Sequence, residues 1–127
     1  MAMSARESAV FVMSRADDPL AQNPEEPQAV AEAAASLGLK YVVVTAVNRD
    51  DLKDGGAGQF ILVAQALREK IEGVEVEFLI PDFMGMEAPL RQILECAPEV
   101  LNHNLETVRR LTPEVRNKAK YDRSLEL

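Results

Sequence analysis

Five consecutive residues, Tyr41-Val42-Val43-Val44-Thr45, constrain this chain more than any other stretch. An unbroken β-branched run, without polar alternation, marks a strand covered on both faces, as in parallel sheets. Parallel neighbours cannot be joined by hairpins, so helical crossovers must flank such a strand. The sequence supplies them. Ala9-Val10-Phe11-Val12-Met13 reads as a buried strand ahead of the run, residues 74–80 as a third strand that starts with alternation and ends buried, and residues 100–104 as a short fourth. A first helix begins after Pro24, with Pro27 in its first turn, Val30, Ala34 and Leu37 turned inward and Gly38 as its stop. Phe60, Val63, Ala64, Leu67 and Ile71 form one stripe of a second helix, closed by Gly73. Leu90, Ile93 and Leu94 form the inner side of a third, over residues 87–96, and two further helices are expected near 107–111 and from Tyr121. The order βαβαβα with right-handed crossovers predicts an α/β fold with a parallel sheet of about four strands, open or curved into part of a barrel. Four strands cannot close a barrel.

A chain of 127 residues suits one domain, expected to cover 1–127 with residues 1–8 as a disordered tail. Its last residues lie in an apparent helix, which reads as a truncated piece of something larger. A formal charge of −7 and six Tyr and Phe residues together argue against nucleic-acid or anionic-membrane partners, which need a basic face or a base-stacking surface. No apolar stretch approaches the roughly 20 residues of a membrane helix, and no signal-peptide core is present. A single cysteine, Cys96, excludes an internal disulfide and any cluster or zinc site built from this chain's thiols alone. The expectation is a soluble, cytoplasmic protein of a reducing compartment.

In parallel α/β sheets, functional groups gather where strands end. Polar residues do concentrate there: 45–54 after the second strand, Asp82 after the third, and Asn102, His103, Asn104 and Glu106 after the fourth. All three groups should share one rim. Residues 49–54 place five charges in six positions ahead of Gly55-Gly56. Asp54 is expected to cap the following helix. Arg49 and Asp50 sit close to a buried strand end and are harder to assign to plain solvation. The glycines lack the spacing of a phosphate loop, so a nucleoside triphosphate is not expected. His103 could serve as a base or metal ligand, but a hydrogen-bonded histidine at a strand–helix junction is the favoured reading. Strand alternation sends it to the face opposite Asn102 and Asn104, whose amides with Glu106 are better suited to holding a polar ligand. Cys96 is expected to pack at a helix end, with no cationic neighbour to activate it. Met84 and Met86 read as loop filler.

Several stretches together resemble lipoyl synthases. Residues 43–57, VVTAVNRDDLKDGGA, are similar to the signature T-S-V-D-R-D-D-L-x-D-G-G-A, and Leu79-Ile80-Pro81-Asp82-Phe83-Met84-Gly85 to L-x-P-D-F-R-G. Residues 102–108 with Val115-Arg116 and residues 121–125 resemble N-H-N-L-E-T-V, V-R and Y-x-R-S-L. The proline-flanked acidic stretch Asn23-Pro24-Glu25-Glu26-Pro27 fits the same pattern. The resemblance implies a radical S-adenosylmethionine enzyme on a partial (β/α)6 barrel, inserting sulfur into octanoyl groups carried on a lipoyl-carrier domain. Such chemistry needs a cofactor-made radical, and its iron–sulfur clusters need cysteine thiolates. By resemblance, Thr45, Asn48, Arg49, Asp50, Asn102, Asn104 and Glu106 would line the S-adenosylmethionine or substrate side of the rim. Arg123 could meet the cofactor's carboxylate with both nitrogens.

The chain departs from this family at a decisive place. The C-x-x-x-C-x-x-C loop that follows the family's first strand is missing, as is the N-terminal cysteine triad. One register sets Ser4, Ser8 and Phe11 opposite the cluster cysteines; a second, favoured because it keeps residues 9–13 as a strand, deletes the loop before Pro24. Ala46, Asn48 and Met84 replace Ser, Asp and Arg of the family pattern. The expectation is a lipoyl synthase-related chain that binds no iron–sulfur cluster and performs no radical reaction alone. The alternatives are a non-catalytic binding or docking module, and a structural half-barrel that self-associates through an exposed sheet edge.

Overall fold

The computed structural model describes residues 22–116 and 118–127, and the backbone of residues 8–12. Expectations for residues 1–7, Ser4 among them, and for Met13 lie outside the described residues. Four parallel strands, β1 (Ser8–Val12), β2 (Tyr41–Thr45), β3 (Glu75–Ile80) and β4 (Val100–His103), lie side by side in chain order. Helices α1 (Glu26–Ser36), α2 (Ala57–Lys70) and α3 (Glu87–Glu95) make the three crossovers. Consecutive strands paired in sequence, with right-handed connections, put every crossover helix on the same face. This is the arrangement of a barrel wall rather than of a doubly wound sheet.

One face of the sheet therefore carries the core. Val42 and Val44 of β2 and Val76, Phe78 and Ile80 of β3 meet Ala31 and Ala34 of α1, Phe60, Val63, Ala64 and Leu67 of α2, and Ile93 of α3. Phe60 and Phe78 pack edge to face, 5.2 Å between ring centres, a geometry the ring quadrupoles favour. On the other face Tyr41, Val43, Thr45, Glu75, Glu77 and Leu79 are only half-buried. The expectation of a β2 covered on both faces thus fails, because none of the described crossover helices lies on the second face. β3 likewise alternates to its end, where Leu79 is half-buried and Ile80 buried.

The α2 stripe is as expected, with its five named residues buried. In α1 Ala34 is buried as expected and Val30 packs partly buried against the core, with Pro27 and Ala31 buried beside them, while Leu37 is 61% exposed at the C-terminal cap. Leu37 follows the last helical residue, where the chain turns through Gly38 at φ +68°. In α3 only Pro89 and Ile93 are buried and Leu94 is exposed, since this short helix touches α2 along a single edge. The helix expected near 107–111 is a 3-10 turn, Arg109–Leu111, leading into α4 (Thr112–Val115), whose first turn accommodates Pro113. The final helix, α5, is Tyr121–Glu126. Ser8, expected within a disordered tail, opens β1. No helix among the described residues is long and apolar enough to cross a membrane.

Candidate functional site

Parallel pairing brings the strand ends together at one edge. Thr45, Leu79 and Asn102 stand in register across β2, β3 and β4, and the Thr45 hydroxyl donates to the Leu79 carbonyl (3.2 Å). The loops that leave this edge hold the expected rim residues. Asn48, Asp50, Asn102, Asn104 and Glu106 are exposed; Thr45, Arg49 and Arg123 are partly buried.

The loop after β2 is built on itself. Arg49 donates through Nε and Nη2 to both oxygens of Asp51, at 2.8 and 2.7 Å. This fork raises the Arg49 pKa above its ordinary value and lowers that of Asp51, the hydrogen bond being the main cause of each. Arg49 is thus occupied inside its own loop. Asp54 does cap α2, though from two residues ahead of the capping position, which Gly56 takes. Its carboxylate accepts from the Gly56 and Gly58 N–H groups, at 3.0 and 2.9 Å, satisfying donors that a helix start leaves free.

The signature stretches hold one another. A Cβ on Gly55 would lie 2.8 Å from Phe83 Cδ1, so the bare glycine lets the second loop's phenyl ring close over the first. Phe83, Met84 and Gly85 all take left-handed φ, at +46, +54 and +78°, which folds this loop back on itself. Asp82, 4% exposed, accepts from Met84 N–H and from Arg123 Nε and Nη2, at 3.0, 2.7 and 2.6 Å. The Arg123 side chain runs past Gly85, where a Cβ would stand 3.2 Å from its Cδ. His103 bridges the Ile80 carbonyl (2.8 Å) and the Ser124 hydroxyl (2.9 Å). With Nδ1–H donating to the carbonyl, Nε2 is left to accept from serine. The favoured reading of His103, a hydrogen-bonded residue at the junction, agrees with this geometry. Arg116 donates to the Asn104 carbonyl at 2.6 Å, tying down the loop after β4.

Two residues of the site were not legible as such. On the open face, the Glu77 carboxylate accepts from the Tyr41 hydroxyl and from the Asn102 side-chain amide, joining β2, β3 and β4. Glu77 reads in sequence as one polar step of an alternating strand; the signal was a carboxylate one strand over from a rim amide, visible only with the register in hand.

Cys96 caps the C-terminus of α3, as expected, but it does have a cationic neighbour. Arg68 of α2 donates to the Cys96 and Ala97 carbonyls, both at 2.7 Å, and lies 3.8 Å from Cys96 Sγ. Carbonyls at a helix end are the natural partners of such a cation. Because α3 leads into the start of β4, Cys96 stands at the opposite end of the sheet from the rim. Among the described residues no group of three or more His, Cys, Asp or Glu could hold a metal ion. A four-iron cluster therefore does not fit: the chain has one thiol, and it is at the wrong end.

A singly wound parallel sheet with its polar residues along one rim defines the class, and comparison with known families agrees. The chain belongs to the radical SAM superfamily, whose family model matches residues 9–127. Within it, the protein that this chain is similar to is lipoyl synthase. The Treponema denticola lipoyl synthase is 50% identical over 109 residues, 86% of this chain and 38% of that protein. The Aquifex aeolicus lipoyl synthase is 53% identical over 109 residues, 86% and 40% respectively. That of Caldanaerobacter subterraneus is 57% identical over 103 residues, 81% and 36%. The chain spans about two-fifths or less of the length of these relatives.

Proposed function

We propose that this chain is a lipoyl synthase-type module that presents a ligand rim for S-adenosylmethionine without the means to reduce and cleave it. The rim residues are Thr45, Asn48, Arg49, Asp50, Asn102, Asn104, Glu106 and Arg123. The observation that carries the reading is the donor set itself. Exposed amides and carboxylates stand at the strand ends, where parallel α/β proteins bind ligands, and no thiol accompanies them. In the family the cluster supplies the electron that makes a carbon-centred radical; among the described residues no group of three or more His, Cys, Asp or Glu could hold a metal in its place.

The two arginines have divided duties in this reading. Arg49 holds the 48–56 loop in shape through Asp51, and Arg123 holds α5 against the second loop through Asp82. Each would have to leave its carboxylate to meet the cofactor's. The side chains open to a ligand are instead Asn48, Asp50, Asn104 and Glu106, which favour ammonium, hydroxyl and amine groups. An octanoylated carrier domain as partner and a cytoplasmic location complete the proposal.

Isothermal calorimetry of the full chain with S-adenosylmethionine tests it. Saturable heat that falls in Asn104→Ala and Glu106→Ala variants is the expected result, and no heat up to millimolar ligand sinks the reading. Anaerobic supply of iron and sulfide should give no four-iron absorbance. A brown protein that cleaves S-adenosylmethionine would overturn the non-catalytic half.

A further inference from the structure

The row on the open face carries one more inference. The Glu77 carboxylate takes the Tyr41 hydroxyl on one oxygen and the Asn102 amide on the other. A carboxylate accepts and an asparagine amide can do either, so the polarity of this contact is forced: Nδ2 turns to Glu77. The Asn102 carbonyl oxygen is left pointing away from Glu77, on an exposed side chain beside the Thr45–Leu79 register row. Glu75 stands on the same face, two residues back along β3.

We propose that Glu77 is a positioning residue that locks Asn102 as a hydrogen-bond acceptor, so that this point of the open face selects a ligand group that donates. The group is an ammonium, a hydroxyl or an exocyclic amine, not a carboxylate or phosphate oxygen. Tyr41 holds the second oxygen and keeps the carboxylate from turning. An anionic ligand group would meet Glu77 and the Asn102 oxygen together and be repelled. The choice of ligand rests on the cofactor reading above; the lock itself does not.

Solution NMR of the full chain reads the lock directly. The Asn102 side-chain amide pair, assigned by its loss in Asn102→Ala, should show nuclear Overhauser contacts to the Glu77 methylene protons. In Glu77→Ala the pair should move to the position of free asparagine amides and exchange faster with water; Tyr41→Phe should move it the same way by less. Absence of the Glu77 contacts in the unaltered chain overturns the proposal, and needs no variant to fold. So does a pair that stays put in Glu77→Ala. In calorimetry with S-adenosylmethionine as probe, Glu77→Ala should weaken binding about tenfold, one hydrogen bond's worth, and an affinity unchanged within twofold also overturns it. If the unaltered chain gives no heat while the NMR contacts are present, the cofactor reading falls and the lock stands.

Discussion

Gly55 shows how a single missing atom shapes the rim. Its φ of +59° and the phenyl ring of Phe83 at its back leave room for no side chain. Gly55→Ala should cost about 2 kcal/mol or more, from left-handed strain and a displaced ring. Urea unfolding measures it, and a neutral result would mean that the ring does not close over the loop. The Arg49–Asp51 fork makes a different kind of prediction. Asp51 is held below its ordinary value by Arg49, so the stability that the fork contributes is complete above about pH 3.9, the unfolded aspartate value. It is lost as pH falls through the lower folded value, while Arg49, raised, stays charged throughout. The stability difference between the unaltered chain and Asp51→Asn should be flat from neutral pH down to mild acid and shrink at lower pH. Asp51 is largely open to water, so the difference is small and salt-sensitive. A difference that grows on acidification would contradict it.

At the scale of elements, α5 depends on three anchors: Asp82–Arg123, His103–Ser124 and the close pass at Gly85. Six residues make no stable helix in isolation. Arg123→Ala leaves the nearly buried Asp82 carboxylate without its cation, at a cost of about 2 kcal/mol. Amide exchange in residues 121–126 should rise more than in β2 or β3; uniform acceleration would show that α5 is not held this way. The elements that were legible in sequence are those whose own residues decide them: β2 from its β-branched run, α2 from an apolar stripe five residues long. Those that were not legible depend on neighbours. Leu37 and Leu94 look like core residues, yet α1 turns Ala31 and Ala34 inward and α3 turns Ile93 inward, because those faces meet α2 and the sheet. The half-open face of β2 follows from strand order, which no local pattern states. The same holds for the site. The strand-end rim could be read from polar residues after each strand, whereas the commitment of Arg123 to Asp82 and of Asn102 to Glu77 required the register.

At the scale of the molecule, sequential strand order leaves β1 and β4 as the two edges of the sheet among the described residues. Edge strands present unpaired backbone groups that invite another strand. Sedimentation velocity should show concentration-dependent association, reduced when Leu101→Lys or Val100→Pro blunts β4; a monomer at every concentration would remove this expectation. The loops at the rim are fastened to each other: ring over glycine, guanidinium on carboxylate, imidazole on hydroxyl. Joinery of that kind has its own reasons to persist. Each dowel of the frame is cut from residues of these loops and strand ends themselves, so the signatures report the shape of the rim, and not the reaction performed at it.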